Sequence, residues 1–301
     1  MTRAEASPAR TRSSPASASF LVRFARLIKV EHSVYALPFA YVGAFLAAGG
    51  WPGWADVIWI TVAMVGARSC AMALNRLIDA PLDARNPRTA QREIPSGAVR
   101  SRDVWVFAVL AALVLVVAAL NLSPQCAYLW PIPLVAFVVY PYTKRVTWFC
   151  HYVLGMTLGL APAAAWVAVA GNASAQAWML FFAVALWVGG FDAIYGIFDL
   201  EFDRAELVHS LAVSIGPRRT LAAAAMSHVG TLLLLTAVGW WSHLGVVYWV
   251  GLSLVGALLA WPHLDIRRRG LDHVGMRFMT INGGVGVVYG AVVILSLMAS
   301  S

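Results

Sequence analysis

Two groups of carboxylates stand where a chain this apolar has least use for charge. The stretch "LNRLIDAPLD" ends one long hydrophobic run and carries Asn75, Asp79 and Asp83. The stretch "FDAIYGIFDLEFD" ends another and carries Asp192, Tyr195, Asp199 and Asp203. Offsets of three, four and seven residues keep side chains on one stripe of an α-helix, so each group faces a common neighbour. The groups are in register: Asp79 precedes Asp199 by 120 residues, Asp83 precedes Asp203 by the same interval, and Asn75 falls opposite Tyr195. Facing stripes of carboxylates and an amide offer hard oxygen donors, which suit Mg²⁺ with a substrate phosphate completing its shell. Without a cation the cluster repels itself and some acids keep their protons. Arg85, Arg88, Arg92, Lys144, Arg145 and Arg204 lie nearby in the chain, placed to clamp a diphosphate. The blander reading is that the acids cap helices and pair with these arginines.

The elements that must position these residues are membrane helices. Of 301 residues, 60% are hydrophobic and 12% charged, which excludes an ordinary soluble domain. Apolar runs long enough to span a bilayer recur at about 33–49, 54–78, 103–121, 126–142, 149–170, 177–200, 218–240, 244–262 and 276–298. The expected fold is therefore an all-α integral membrane protein of about nine transmembrane helices. The 120-residue offset makes it a parallel internal repeat of about four helices. Residues 1–19 are rich in Ser, Pro, Ala and Arg without an apolar core, and read as a disordered cytoplasmic tail preceding a membrane domain over 20–301.

The net charge of +8 is a topology signal. The loops at 50–53, 122–125, 171–176, 241–243 and 299–301 contain no Lys or Arg, whereas the alternate loops and the tail are basic. The positive-inside rule places the N-terminus and the acidic motifs at the cytoplasmic face of the cell membrane. Nucleic acid is not an expected partner. Cys70, Cys126 and Cys150 have no metal or redox spacing and read as small apolar packers.

Arg68 stands apart. It lies on the Asn75 stripe but about 10 Å deeper by helical rise, and an intramembrane arginine needs a partner. Asp192 sits the same seven residues before Asp199, so Arg68 either meets Asp192 or binds an acidic substrate. Two rival functions remain on these grounds. A transporter also uses repeats and intramembrane acids, although it would place them near the midplane. A metal-dependent lipid phosphotransferase would also bind Mg²⁺ and a diphosphate.

The two acidic stretches, "ARNPRTAQREIPSG" after the first, "YPYTKRVTWFCHYVLG" and "KVEHSVYALPFAYVGAFLA" together resemble the UbiA family of intramembrane prenyltransferases, over residues 24 to 295. The wording is similar to the 4-hydroxybenzoate polyprenyltransferases and to the naphthoate prenyltransferases of menaquinone synthesis. The resemblance implies nine helices around a central cavity and two Mg²⁺ bridging the motifs to a polyprenyl diphosphate, with prenyl transfer to an aromatic acid in quinone biosynthesis. It implies Asn75, Asp79, Asp83, Asp199 and Asp203 as metal-site residues. Asp79, Asp199, Asp192, Tyr195 and Arg68 are implied in the reaction itself, and Arg88, Arg92, Lys144, Arg145 and Arg204 in substrate binding. The pattern departs from the family at Ala80–Pro81. Pro81 lacks an amide donor and is expected to kink or end its helix there, displacing Asp83.

Overall fold

Inside a bilayer every backbone N–H and C=O must be satisfied within the segment, and the helix achieves this locally. The computed structural model describes residue 27, residues 30–271 and residues 275–299, and the expected tail over 1–19 lies outside the described residues. Among the described residues there is no strand. The helices are α1 (Val30–Ala48), α2 (Trp54–Asp83), α3 (Ser101–Leu120), α4 (Pro124–Leu129), α5 (Pro131–Thr143), α6 (Cys150–Ala170), α7 (Ala175–Phe198), α8 (Leu200–Ala205), α9 (Leu211–Ile215), α10 (Pro217–Trp241), α11 (Val246–Arg269) and α12 (Gly275–Met298).

Among the described residues, seven helices are long and apolar enough to cross a membrane: α2, α3, α6, α7, α10, α11 and, over Ile281–Met298, α12. The run expected at 33–49 is α1, apolar over Leu37–Ala48. The run expected at 126–142 is not one helix. It is α4 and α5, divided at Trp130–Pro131, where a proline supplies no amide to continue the ladder. Pro81 lies inside the last turn of α2, which ends two residues later at Asp83. Arg145 donates to the Ile78 carbonyl at 2.7 Å, satisfying a backbone acceptor in the turn the proline disturbs.

The two halves follow one plan. A long helix ending in an acidic motif pairs with the next long helix, α2 with α3 and α7 with α10. By the same 120-residue offset α6 repeats α1, so α6 packs along α7 within the second half as α1 packs on α2 within the first. The halves meet chiefly where α1 lies along α6, and α12 packs on α1. Buried Cys70, Ala73, Leu74, Val104, Ala108, Ala111, Leu115 and Phe137 fill the first half. Trp187, Leu235, Tyr248, Val255 and Tyr289 help fill the second. Its buried hydroxyls are bonded: Tyr248 donates to the Leu235 carbonyl at 2.5 Å, and Tyr152 shares a hydrogen with Ser227 at 2.8 Å.

Lipid offers little hydrophobic drive between helices, so they hold by close approach. Gly155 on α6 lies so near α7 that a Cβ would overlap the Ala185 carbonyl oxygen, a backbone atom that cannot swing away. Gly155→Ala is expected to separate α6 from α7 and destabilise the protein by about 1–3 kcal/mol. It would lower the thermal midpoint in detergent, while Gly50→Ala, with no atom within 4 Å of the added methyl, leaves it unchanged.

Candidate active site

The close pairing of α6 with α7 and the bridging position of α1 leave a cavity of about 1060 Å³ between the halves. Ile60 and Asp83, at opposite ends of α2, both line it, a separation of about 35 Å by helical rise. Its character changes along that length. At the motif end stand Asn75, Asp79, Asp83, Arg88, Arg92, Lys144, His151, Asp192, Tyr195, Asp199 and Asp203. Toward the other end the wall is apolar, with Met64, Leu115, Ala119, Trp130, Ala164 and Trp178 among its residues.

The mouth is organised by charge pairing. Asp79, 4% exposed, receives Lys144 Nζ at 2.7 Å and Asn75 Nδ2 at 2.8 Å, both on Oδ2. Its other oxygen, Oδ1, is buried with no hydrogen-bond partner. Asp83 holds Arg92 through both oxygens at 2.7 Å, and Asp199 holds Arg88 bidentately, with Nε on Oδ1 at 2.9 Å. The blander sequence reading thus describes part of the arrangement, since two acids do pair with loop arginines. The 84–100 segment is shaped for this: Asn86 accepts the Arg88 amide at 2.9 Å, and Thr89 donates to the Asp83 carbonyl at 3.1 Å. Beside it, the His209 amide donates to the Lys144 carbonyl at 2.7 Å, fastening the loop after α8 to the one after α5.

Asp192 takes a different partner. His151 Nδ1 lies 2.7 Å from Asp192 Oδ2, and His151 Nε2 accepts the Leu211 amide at 3.3 Å. The structure therefore engages Asp192 with His151 in place of the expected Arg68 pairing. Arg68 lines the same cavity, deeper along α2, with its Nε buried and without a hydrogen-bond partner among the described residues. Arg145 and Arg204 do not line the cavity: Arg145 serves the Ile78 carbonyl and stacks over Tyr142, and Arg204 is exposed on α8. Sequence reasoning missed His151 as a site residue, because no spacing links it to Asp192 across 41 positions. It also missed the cavity-wall aromatics Phe39 and Trp187, whose rings lie 4.9 Å apart.

The donor set fits a hard divalent cation: Asn75, Asp79, Asp83, Asp199 and Asp203 line one cavity, and Asp79 Oδ1 has no partner among the described residues. Among the described residues, however, no three His, Cys, Asp or Glu side chains converge as a ready metal cluster. Each paired acid is held by its own counter-cation or imidazole.

A family model described as the UbiA prenyltransferase family matches residues 36–284. The 4-hydroxybenzoate octaprenyltransferase of Tolumonas auensis is 31% identical over 252 residues, which cover 84% of this chain and 87% of the relative. That of Cronobacter sakazakii is 29% identical, covering 87% and 91%. Among solved structures, the apo UbiA homologue of Aeropyrum pernix K1 superimposes with a TM-score of 0.81 at 32% identity, covering 88% of this chain and 98% of its own. The Archaeoglobus fulgidus UbiA homologue bound to DMAPP and Mg²⁺ shares the fold, with a TM-score of 0.70 at 17% identity over 92% and 99%.

Asp203, on α8, has no lysine or arginine ion pair. Burial pushes its carboxyl up to about 6, with the Asp199 charge adding to the rise and the Ser210 hydrogen bond, His151 and Lys144 opposing it. The unfolded chain releases this proton near 3.8 and the folded chain near 6, so stability falls as pH rises between them and stays lower above. Asp203→Asn is expected to stabilise the metal-free protein at pH 7.5 by roughly 1–3 kcal/mol. Thermal unfolding in detergent with chelator should show a much smaller gain at pH 4.5; an equal gain at both would refute the assignment.

Proposed function

The chain belongs to the UbiA prenyltransferase family, and from that premise we propose that it transfers a polyprenyl group from an isoprenyl diphosphate to the ring of 4-hydroxybenzoate, a step of quinone biosynthesis. The observation that carries this reading is the polarity of one cavity. Acids and bases gather at its mouth, an unpartnered arginine lies deeper, and an apolar wall continues along the membrane. A diphosphate, an aromatic carboxylate and a polyprenyl tail ask for those three environments. The transporter reading is disfavoured because the acids cluster at one end of the cavity, away from its middle.

Arg88, Arg92 and Lys144 bind the diphosphate oxygens, leaving Asp199, Asp83 and Asp79 to the metal. Asn75, Asp79, Asp83, Asp199 and Asp203 would hold Mg²⁺, as two ions, and the bound metal neutralises the diphosphate as a leaving group. The apolar walls exclude water from the allylic cation, and Tyr195, with Phe39 and Trp187 deeper, presents ring faces to it. Arg68 receives the acceptor carboxylate: its buried Nε lacks a partner among the described residues, and a desolvated guanidinium recognises a carboxylate strongly. Asp192, held by His151, is free of the competing role. A nine-span topology would count α1 and the broken α4–α5 pair with the seven long helices, and the basic loops beside the motifs support a mouth facing the cytoplasm.

Membranes containing the protein, given a polyprenyl diphosphate, Mg²⁺ and either 4-hydroxybenzoate or a dihydroxynaphthoate, should yield the prenylated benzoate. Preference for the naphthoate would move the enzyme to menaquinone synthesis. Diphosphate turnover without a new carbon–carbon bond would favour the phosphotransferase. Arg68→Ala is expected to raise the acceptor KM by about tenfold or more with little change in the donor KM, as loss of a desolvated charge pair implies. Equal effects on both substrates would sink the acceptor role. Asp79→Ala and Asp199→Ala should each abolish turnover without loss of expression.

A further inference from the structure

The acids of the mouth fall into two kinds. Asp79, Asp83 and Asp199 are each held by a lysine or arginine, whose charge and hydrogen bonds occupy their carboxylate oxygens. Asp192 is held by an imidazole. The hydrogen-bond pattern fixes which form the ring takes. His151 Nε2 accepts the backbone N–H of Leu211 at 3.3 Å, so it carries no hydrogen, and the ring's hydrogen sits on Nδ1, donated to Asp192 Oδ2 at 2.7 Å. The ring is 5% exposed, pinned between α7 and α9: a Cβ at Gly196 would press on its Cε1 at 3.0 Å. Asp192 and His151 both line the cavity, and Asp192 lies two helical turns deeper than Asp199 on α7, level with the region between the motifs and Arg68.

We propose that His151 is a positioning residue that holds Asp192 as the proton acceptor of the transfer, an inference that rests on the prenyl-transfer reading above. The allylic C–O bond breaks with its electron pair leaving on the diphosphate, and a ring carbon of the acceptor forms the new bond to the allylic carbon. That ring carbon then gives its proton to Asp192, and the C–H electron pair restores the aromatic ring. The proton leaves Asp192 to water at the cavity mouth. The imidazole suits this task because its Nδ1 engages one Asp192 oxygen, Oδ2, and leaves the other open to the arriving proton. Its own orientation is set by a backbone amide, which does not titrate.

Turnover of membranes carrying His151→Phe, His151→Gln, Asp192→Asn and the double variant His151→Phe/Asp192→Asn tests this assignment. Phe keeps the ring volume and loses both nitrogens; it should cut kcat by about tenfold or more and leave the donor KM unchanged, as a misplaced proton acceptor implies. Gln offers an amide N–H for Asp192 and an amide oxygen for Leu211, and should retain most of the turnover. The double variant should be no slower than Asp192→Asn alone, because positioning a carboxylate matters only while it is there. Additive losses, a Gln variant as slow as Phe, or an unchanged kcat in Phe would overturn the proposal; where Phe does not accumulate, His151→Leu takes its place in the cycle. Failure of the wild type to prenylate any arene would instead overturn the underlying reading.

Discussion

Charge at the edge of a membrane must be answered nearby, and the site is built around that necessity. A carboxylate removed from water loses solvation that its pairing has to replace. The protein supplies this from loops: the 84–100 segment delivers Arg88 and Arg92, and the turn after α5 delivers Lys144. These cations come from different parts of the chain, so each ion pair is also a tether. Lys144 ties the α5 turn to α2, and Arg88 ties the first half to the end of α7. The same contacts that make the acids tolerable bring the two halves' motifs to one mouth. A hard cation with a diphosphate can replace these partners one for one, which explains why the acids need not be assembled as a metal cluster beforehand.

The backbone is under a parallel constraint. Helices satisfy themselves within lipid, so the cavity must come from how they are spaced. Gly43 and Gly155 let α1 and α6 approach their neighbours at backbone distance, closing some seams tightly. The break between α4 and α5 and the bridging of α1 leave other faces apart. Tight seams and open faces together give a cavity that keeps one polar end.

Much of this was legible in the sequence. The 120-residue register of Asp79 with Asp199 and Asp83 with Asp203 placed the motifs on equivalent helices, and those residues do line one cavity. Periodicity worked because a lipid-facing helix has few other reasons to carry a stripe of acids. It failed where the outcome depended on a third dimension. Pro81 read as a kink or helix end, and α2 does stop two residues past it at Asp83, but the meeting of Arg145, from a distant loop, with the Ile78 carbonyl in that turn was not legible. That use also takes Arg145 out of the cavity, which no local pattern announces. Arg68 and Asp192 share an offset from their motifs, yet equal depth on two helices does not make contact, and His151 at the start of α6 was nearer to Asp192. Pairings between elements are set by packing, and a single sequence carries no record of it.

The unequal treatment of charge along the cavity then has a directional consequence. At the mouth, each paired acid has a partner, so opposite charges largely cancel there. Deeper, Arg68 keeps a buried nitrogen with no hydrogen-bond partner among the described residues. A ligand entering from the mouth passes Asp203 and Asp192, which no described lysine or arginine pairs, before it meets that guanidinium, in surroundings where low dielectric strengthens its field. On the proposed reading, an aromatic acid would enter with its carboxylate toward Arg68 and its opposite ring edge toward the motifs. Arg68 on α2 and Asp192 on α7 line the same cavity, so the two would face opposite ends of that small ring.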